Sequence, residues 1–181
     1  MKILGISGSL RRDSYNSALL RNVPLELELW DELKSIPPYD EDDDVEPAPP
    51  AVARMRAAVA GADAVLFATP EYNSSVPGQL KNAIDWLSRP RATSALRNKP
   101  VAVVGASTGA FGAVWAQAEL RKVLAATGAR VVEGEAVVGR AMDRFDGAGR
   151  LNDESVEEQL REVTDVLLLE AQPRDSGKLA A

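Results

Sequence analysis

The chain has 181 residues, with 27 acids against 21 bases, a net charge of −6 and 45% hydrophobic residues. That is the size of one domain with a buried core, and its acidity argues against a general nucleic-acid binder while leaving room for a local basic site. It has no cysteine and no histidine, which excludes disulfides, thiolate catalysis, Cys- or His-based metal sites and a Ser-His-Asp triad; an enzyme built from it must take its electron chemistry from a bound cofactor.

In chain order, residues 2–6 read as a first strand. A polar loop, GSLRRDSYNS, follows and runs into a short helix over 16–22. A second strand is expected over 25–30. The acidic run YDEDDD at 39–44 reads as a solvated loop, because consecutive acids lack the spaced ligands and glycine turn of a calcium loop; no metal site is expected. A helix over 50–59 opens on prolines and stops at Gly61. Strands are expected over 64–69 and 101–106, whose nearly unbroken apolar runs at 64–68 and 101–104 suit strands buried on both faces of a parallel sheet. Between them, a helix over 79–88 aligns Leu80, Ala83, Ile84 and Leu87. A further helix over 114–127 ends at Gly128, a strand is expected over 131–138, and the last helix, 152–170, starts at Asn152 or Asp153 as cap.

Strand–helix alternation predicts an α/β fold, a doubly wound five-stranded parallel sheet of flavodoxin-like order 2-1-3-4-5 with helices on both faces. Residues 1–171 are expected to form this one domain, with a flexible, polar tail at 172–181. No apolar run approaches ~18–20 residues and no signal peptide is read at the N-terminus, so a cytoplasmic protein without a membrane span is expected.

In such a sheet, ligands bind beyond the carboxyl ends of the strands, which directs attention to three loops. In the first, Gly8 permits a tight turn, Ser9, Ser14, Ser17 and Asn16 offer hydrogen bonds, and Arg11 offers a permanently charged fork. The loop enters a helix N-terminus, whose free N–H groups attract anions. It matches neither a Walker A loop nor a dinucleotide fingerprint, so a phosphate monoester fits better than a pyrophosphate. The plainer reading is a polar loop whose serines cap a helix. The second loop, TPEYNSSVPGQLKNAIDW, is stiffened by Pro70 and Pro77 and can present backbone groups to a flat heterocycle, with Tyr72 beside it. The third places Ser107, Thr108 and Gly109 at the same sheet edge.

These motifs resemble a known family. GSLRRDSYNSALL is similar to the G-S-x-R-x-x-S-x-N-x-x-L phosphate loop of the NADPH-dependent FMN reductases. PEYNSSVPGQLKNAIDW matches that family's P-E-Y-N-x-S-x-P-G-x-L-K-N-A-I-D-W segment nearly position for position, and ASTGAFGAVWAQAELRKVL resembles its third loop and helix. The resemblance covers most of the chain. It implies an FMN-binding domain and an oxidoreductase that uses NADPH or NADH to reduce quinones, azo compounds, chromate or flavin. It implies that Ser9, Arg11, Ser14, Asn16 and Ser17 hold the FMN phosphate. Pro70, Glu71, Tyr72 and Asn73 would line the isoalloxazine, mostly through backbone, and Ser107, Thr108 and Gly109 its other edge. No side chain need act as a catalytic acid or base. A ping-pong mechanism and a homodimer or tetramer are expected, with a small-molecule electron acceptor as partner.

Two departures stand out. Ala110 and Ala113 occupy positions where the family would have glycines, and an added methyl there is expected either to tighten the site or to hinder nicotinamide stacking. The first crossover, residues 7–24, leaves only 16–22 for its helix, about 10 Å long. Two other functions compete: a flavodoxin-type electron carrier without NAD(P)H turnover, and a binding module that kept the cradle and lost the ring site.

Overall fold

The computed structural model describes residues 1–172, so the tail expected over 172–181 lies, save for Gln172, outside the described residues. The strands β1 (Ile3–Ser7), β2 (Glu28–Trp30), β3 (Ala64–Thr69), β4 (Pro100–Ala106) and β5 (Arg130–Val131) lie parallel in the order β2-β1-β3-β4-β5. A further short strand, β6 (Val137–Val138), also pairs with β4.

Side-chain alternation sorts this sheet into two cores. Ile3, Ala64, Leu66, Ala68, Ala102 and Val104 face one side, with the helices α1 (Tyr15–Arg21) and α5 (Glu154–Ala171) over them. Leu4, Ile6, Val65, Phe67, Val101 and Val103 face the other, covered by α2 (Pro50–Ala60), α3 (Gly78–Leu87) and α4 (Val114–Ala126). Both sides are apolar because both are covered, which is why β3 and β4 read as continuous hydrophobic runs. Trp86 fills the second core and its indole N–H donates to Pro37 O at 2.9 Å.

Two expected strands differ from the observed ones. The second shrinks to three residues, paired as Leu4↔Glu28, Gly5↔Leu29 and Ile6↔Trp30; Leu25 and Leu27 pack against the core without joining the ladder. The fifth is split into β5 and β6. Between them the chain bows outward through Glu133, Gly134 and Glu135, all exposed, with Gly134 at a φ of 120° that only glycine adopts readily. The guanidinium of Arg121 fills the gap, donating to Val103 O at 2.9 Å and Gly134 O at 2.7 Å.

The short helix of the first crossover is held at both ends. Ser14 caps α1, its hydroxyl accepting from Ser17 N–H. At the other end Asn22 donates its amide to Ala18 O and Gly149 O, at 2.8 and 2.9 Å, and accepts from Leu151 N–H at 2.9 Å. One side chain thus ends the helix and fastens it to the loop before α5.

Strand register places the three loops together. Ser7 lies beside Ala68, Thr69 beside Gly105, and Ala106 beside Val138, so the β1–α1, β3–α3 and β4–α4 loops leave the sheet at a common level.

Candidate active site

These loops enclose a cleft of about 110 Å³ lined by Ser9, Arg11, Ser14, Tyr15, Asn16, Pro70, Glu71, Tyr72, Ala106, Ser107 and Thr108. Of the residues singled out in the sequence, Ser17, Asn73 and Gly109 do not line it. Ser17 stands behind the first loop, its hydroxyl donating to Ser7 Oγ at 3.0 Å. Asn73 sits at the tip of a tight turn, and the N–H of Gly109 donates to Ser107 Oγ at 3.1 Å. A larger hollow of about 550 Å³, bordered by Asp85, Arg89, Arg97 and Thr127, lies at the opposite end of the sheet.

The first loop is braced from within. Ser9 N–H donates to Ser7 Oγ at 3.3 Å, and Arg11 N–H to Ser9 Oγ at 3.4 Å. The Arg11 side chain is exposed and has no ion pair or hydrogen bond among the described residues. Asn16 is different. It is 3% exposed, and its amide donates to Ala106 O and accepts from Ala106 N–H, both at 2.9 Å. Both halves of that amide are spent on tying α1 to the end of β4.

The second loop is a two-residue turn. Tyr72 and Ser75 exchange backbone hydrogen bonds at 3.2 and 3.1 Å, with Asn73 and Ser74 at φ of 52° and 59°. Two left-handed residues in succession define the tight hairpin turn of this length, and asparagine is among the residues that tolerate it. Two carboxylates hold the turn against α4. The Glu71 side chain accepts from Trp115 N–H and Ala116 N–H, each at 3.1 Å. In the reverse direction, Glu119 of α4 accepts from the Ser75 hydroxyl at 2.5 Å and from Val76 N–H at 3.4 Å.

The Glu71 contact supplies what α4 lacks. Its first flanking residue, Ala113, is left-handed at φ 63° and provides no side-chain cap. The free N–H groups of the helix start are met from another loop. A helix pattern with no capping residue ahead of it was the available signal for this clamp, which the sequence reading missed. Neither of the two alanines lines the cleft. Ala113 is buried, and Ala110 borders a separate hollow with Val137 and Arg140.

The Glu119 carboxyl is held below the usual carboxylate range, first by the Ser75 hydroxyl and then by Val76 N–H. A depressed carboxyl contributes stability that is present above its unfolded value, about 4.3, and is lost as pH falls through the folded one. Thermal melts of wild type are therefore expected to drop more steeply in acid than those of Glu119→Gln. Parallel acid limbs in the two proteins would refute the latch.

Three exposed aromatic residues stand on the second loop, the third loop and the start of α4. Tyr72 is 50% exposed, Phe111 64% and Trp115 48%, and the last two rings meet edge to face with centroids 5.1 Å apart. Among the described residues no group of three or more Asp or Glu could hold a metal ion, and no helix is long and apolar enough to cross a membrane.

The parallel order, the helices on both faces and a loop cluster at the carboxyl ends define a flavodoxin-like protein. The chain belongs to the NADPH-dependent FMN reductase family, whose model matches residues 1–143. It is 45% identical over 176 residues to an NAD(P)H-dependent FMN reductase of Pseudomonas aeruginosa, covering 93% of this chain and 94% of that one. It is 43% identical over 156 residues to a quinone reductase of Pseudomonas putida, covering 83% and 84%. Among solved structures it resembles FerB, a flavoenzyme NAD(P)H:(acceptor) oxidoreductase from Paracoccus denitrificans. The TM-score is 0.84 at 34% identity, over 94% of this chain and 96% of that one.

The donors present suit FMN. Serine hydroxyls and an unpaired guanidinium converge at one end of the cleft, as a phosphate monoester requires. Pro70 and the backbone of a rigid turn stand at the other, as a flat ring requires.

Proposed function

We propose that the protein oxidises NAD(P)H and reduces a quinone or a related small acceptor, azo compounds, chromate and flavin included, through FMN held in this cleft. The observation that carries the reading is the convergence of the three loops on one cleft in a chain of this family. Bound FMN supplies the two-electron chemistry. The residues of the chain supply position. Ser9, Arg11 and Ser14 hold the phosphate, with Asn16 and Ser17 bracing the loop that carries them. Pro70, Glu71 and Tyr72 form one wall for the ring, with Asn73 holding the turn behind it, and Ser107 and Thr108 the other, with Gly109 N–H bracing Ser107. The paired Glu71 and Glu119 contacts keep the first wall from moving relative to α4.

The exposed Tyr72 borders the cleft where the ring would lie, so donor and acceptor take turns against the same ring there and the kinetics are ping-pong. Purified protein loaded with FMN should bleach on anaerobic addition of NADPH and recover its colour on addition of a quinone. Reciprocal plots against quinone at several NADPH concentrations should be parallel. Bleaching without steady-state quinone reduction would instead favour an electron carrier, and intersecting lines would overturn the shared face.

The exposed rings of Tyr72, Phe111 and Trp115 also support a homo-oligomer, a dimer or tetramer, that covers this side of the site. Light scattering at micromolar concentration should give at least twice the chain mass; monomer alone overturns it. A cytoplasmic location, where NAD(P)H is supplied, goes with this reading.

A further inference from the structure

Three arginines, Arg11, Arg12 and Arg21, stand at the first crossover. All three are exposed, and their side chains form no ion pair or hydrogen bond among the described residues. They belong to a chain of net charge −6, in which an uncompensated cluster of cations is the exception. The three line a groove of about 420 Å³ between α1 and the Phe145–Gly149 loop, and also a smaller hollow on the side of β2 that includes Lys34. They form one positive ridge with a depression on each side.

The groove is continuous with the FMN cleft, because Arg11, Ser14 and Tyr15 line both. Its wall carries the rings of Tyr15 and Phe145, with centroids 5.6 Å apart. Of its carboxylates, Asp146 is already committed, accepting from Ala148 N–H, Arg150 N–H and the Arg150 guanidinium at 2.8–2.9 Å. Two carboxylates remain beside the ridge without an ion pair or hydrogen bond among the described residues, Asp13 in the groove and Asp31 in the hollow on the β2 side, against three arginines and Lys34. A bound phosphate monoester, with a charge near −2, engages Arg11 and the serines, and leaves Arg12 and Arg21 without an ion pair among the described residues.

We infer that the groove is a second anion subsite, in which Arg12 and Arg21 receive the 2′-phosphate of NADPH while the Tyr15–Phe145 wall takes the adenosine. The inference rests on the proposed function, and it selects NADPH over NADH as the donor. Neither NADH nor an acceptor quinone carries a phosphate monoester for this pair to bind.

Binding and kinetics test it separately. Calorimetry on FMN-loaded protein should find 2′,5′-ADP binding at least about tenfold more tightly than 5′-ADP, as expected for hydrogen bonds to a charged group. Arg12→Ala/Arg21→Ala should abolish that difference while remaining folded and yellow. In steady state the double variant should lose about tenfold or more in kcat/KM for NADPH, through KM, and the two donors should become equivalent. Equal affinity of wild type for the two nucleotides, or a double variant that still discriminates, overturns the subsite. Should FMN-loaded protein oxidise neither donor, the proposed reaction fails, and the nucleotide comparison still decides the subsite.

Discussion

Arg11→Ala is expected to weaken FMN binding by about 1.5–3 kcal/mol, the range for a hydrogen bond to a charged group. Arg11 lines the cleft beside Ser9 and Ser14, and its guanidinium is not committed to any protein acid among the described residues. Its charge is therefore available to the ligand without first breaking an internal pair. Fluorescence titration of apoprotein with FMN measures the effect directly. The apoprotein should unfold at the wild-type denaturant midpoint, because an exposed side chain without partners contributes little to the fold. Wild-type FMN affinity in the variant would remove Arg11 from the site.

Asn16→Ala should act in the opposite way, on the fold first. Asn16 is buried, and its amide satisfies both the N–H and the C=O of Ala106. Truncation leaves two buried backbone groups unpaired, each costing about 1–3 kcal/mol. The apoprotein is expected to lose about 2–4 kcal/mol in denaturant unfolding. FMN affinity should fall as well, because Ala106 and the α1 loop border the same cleft. A variant that unfolds at the wild-type midpoint and loses only FMN affinity would return Asn16 to the role of a direct phosphate ligand.

The contrast between these two residues shows what the sequence made legible. Strand order followed from strand–helix alternation, because an apolar run buried on two faces has few other homes. The loops of the site followed from their place after β1, β3 and β4. Arg11 and Asn16 looked equivalent there, both polar and both inside one motif. What separates them is a partner 90 residues away, Ala106, which no local pattern encodes. Glu71 was expected to act through its backbone; its carboxylate binds the start of α4, 44 residues on. The interruption of the fifth strand was hidden for a related reason. Val131, Val132, Ala136, Val137 and Val138 have strand chemistry, and the bow between them depends on Arg121 reaching in from α4.

Asn22 sets a condition on the order of events in synthesis. Its amide and its oxygen are satisfied by Gly149 and Leu151, 127 and 129 residues later in the chain. Asn16 likewise waits for Ala106. The first loop of the cleft is among the first segments to leave the ribosome, yet both anchors of the helix behind it are made much later. A nascent chain that stops before residue 106 has neither anchor, and one that stops before 149 has only the first. Completion of the cleft is accordingly a property of the nearly finished chain, although its first loop is translated at the very beginning.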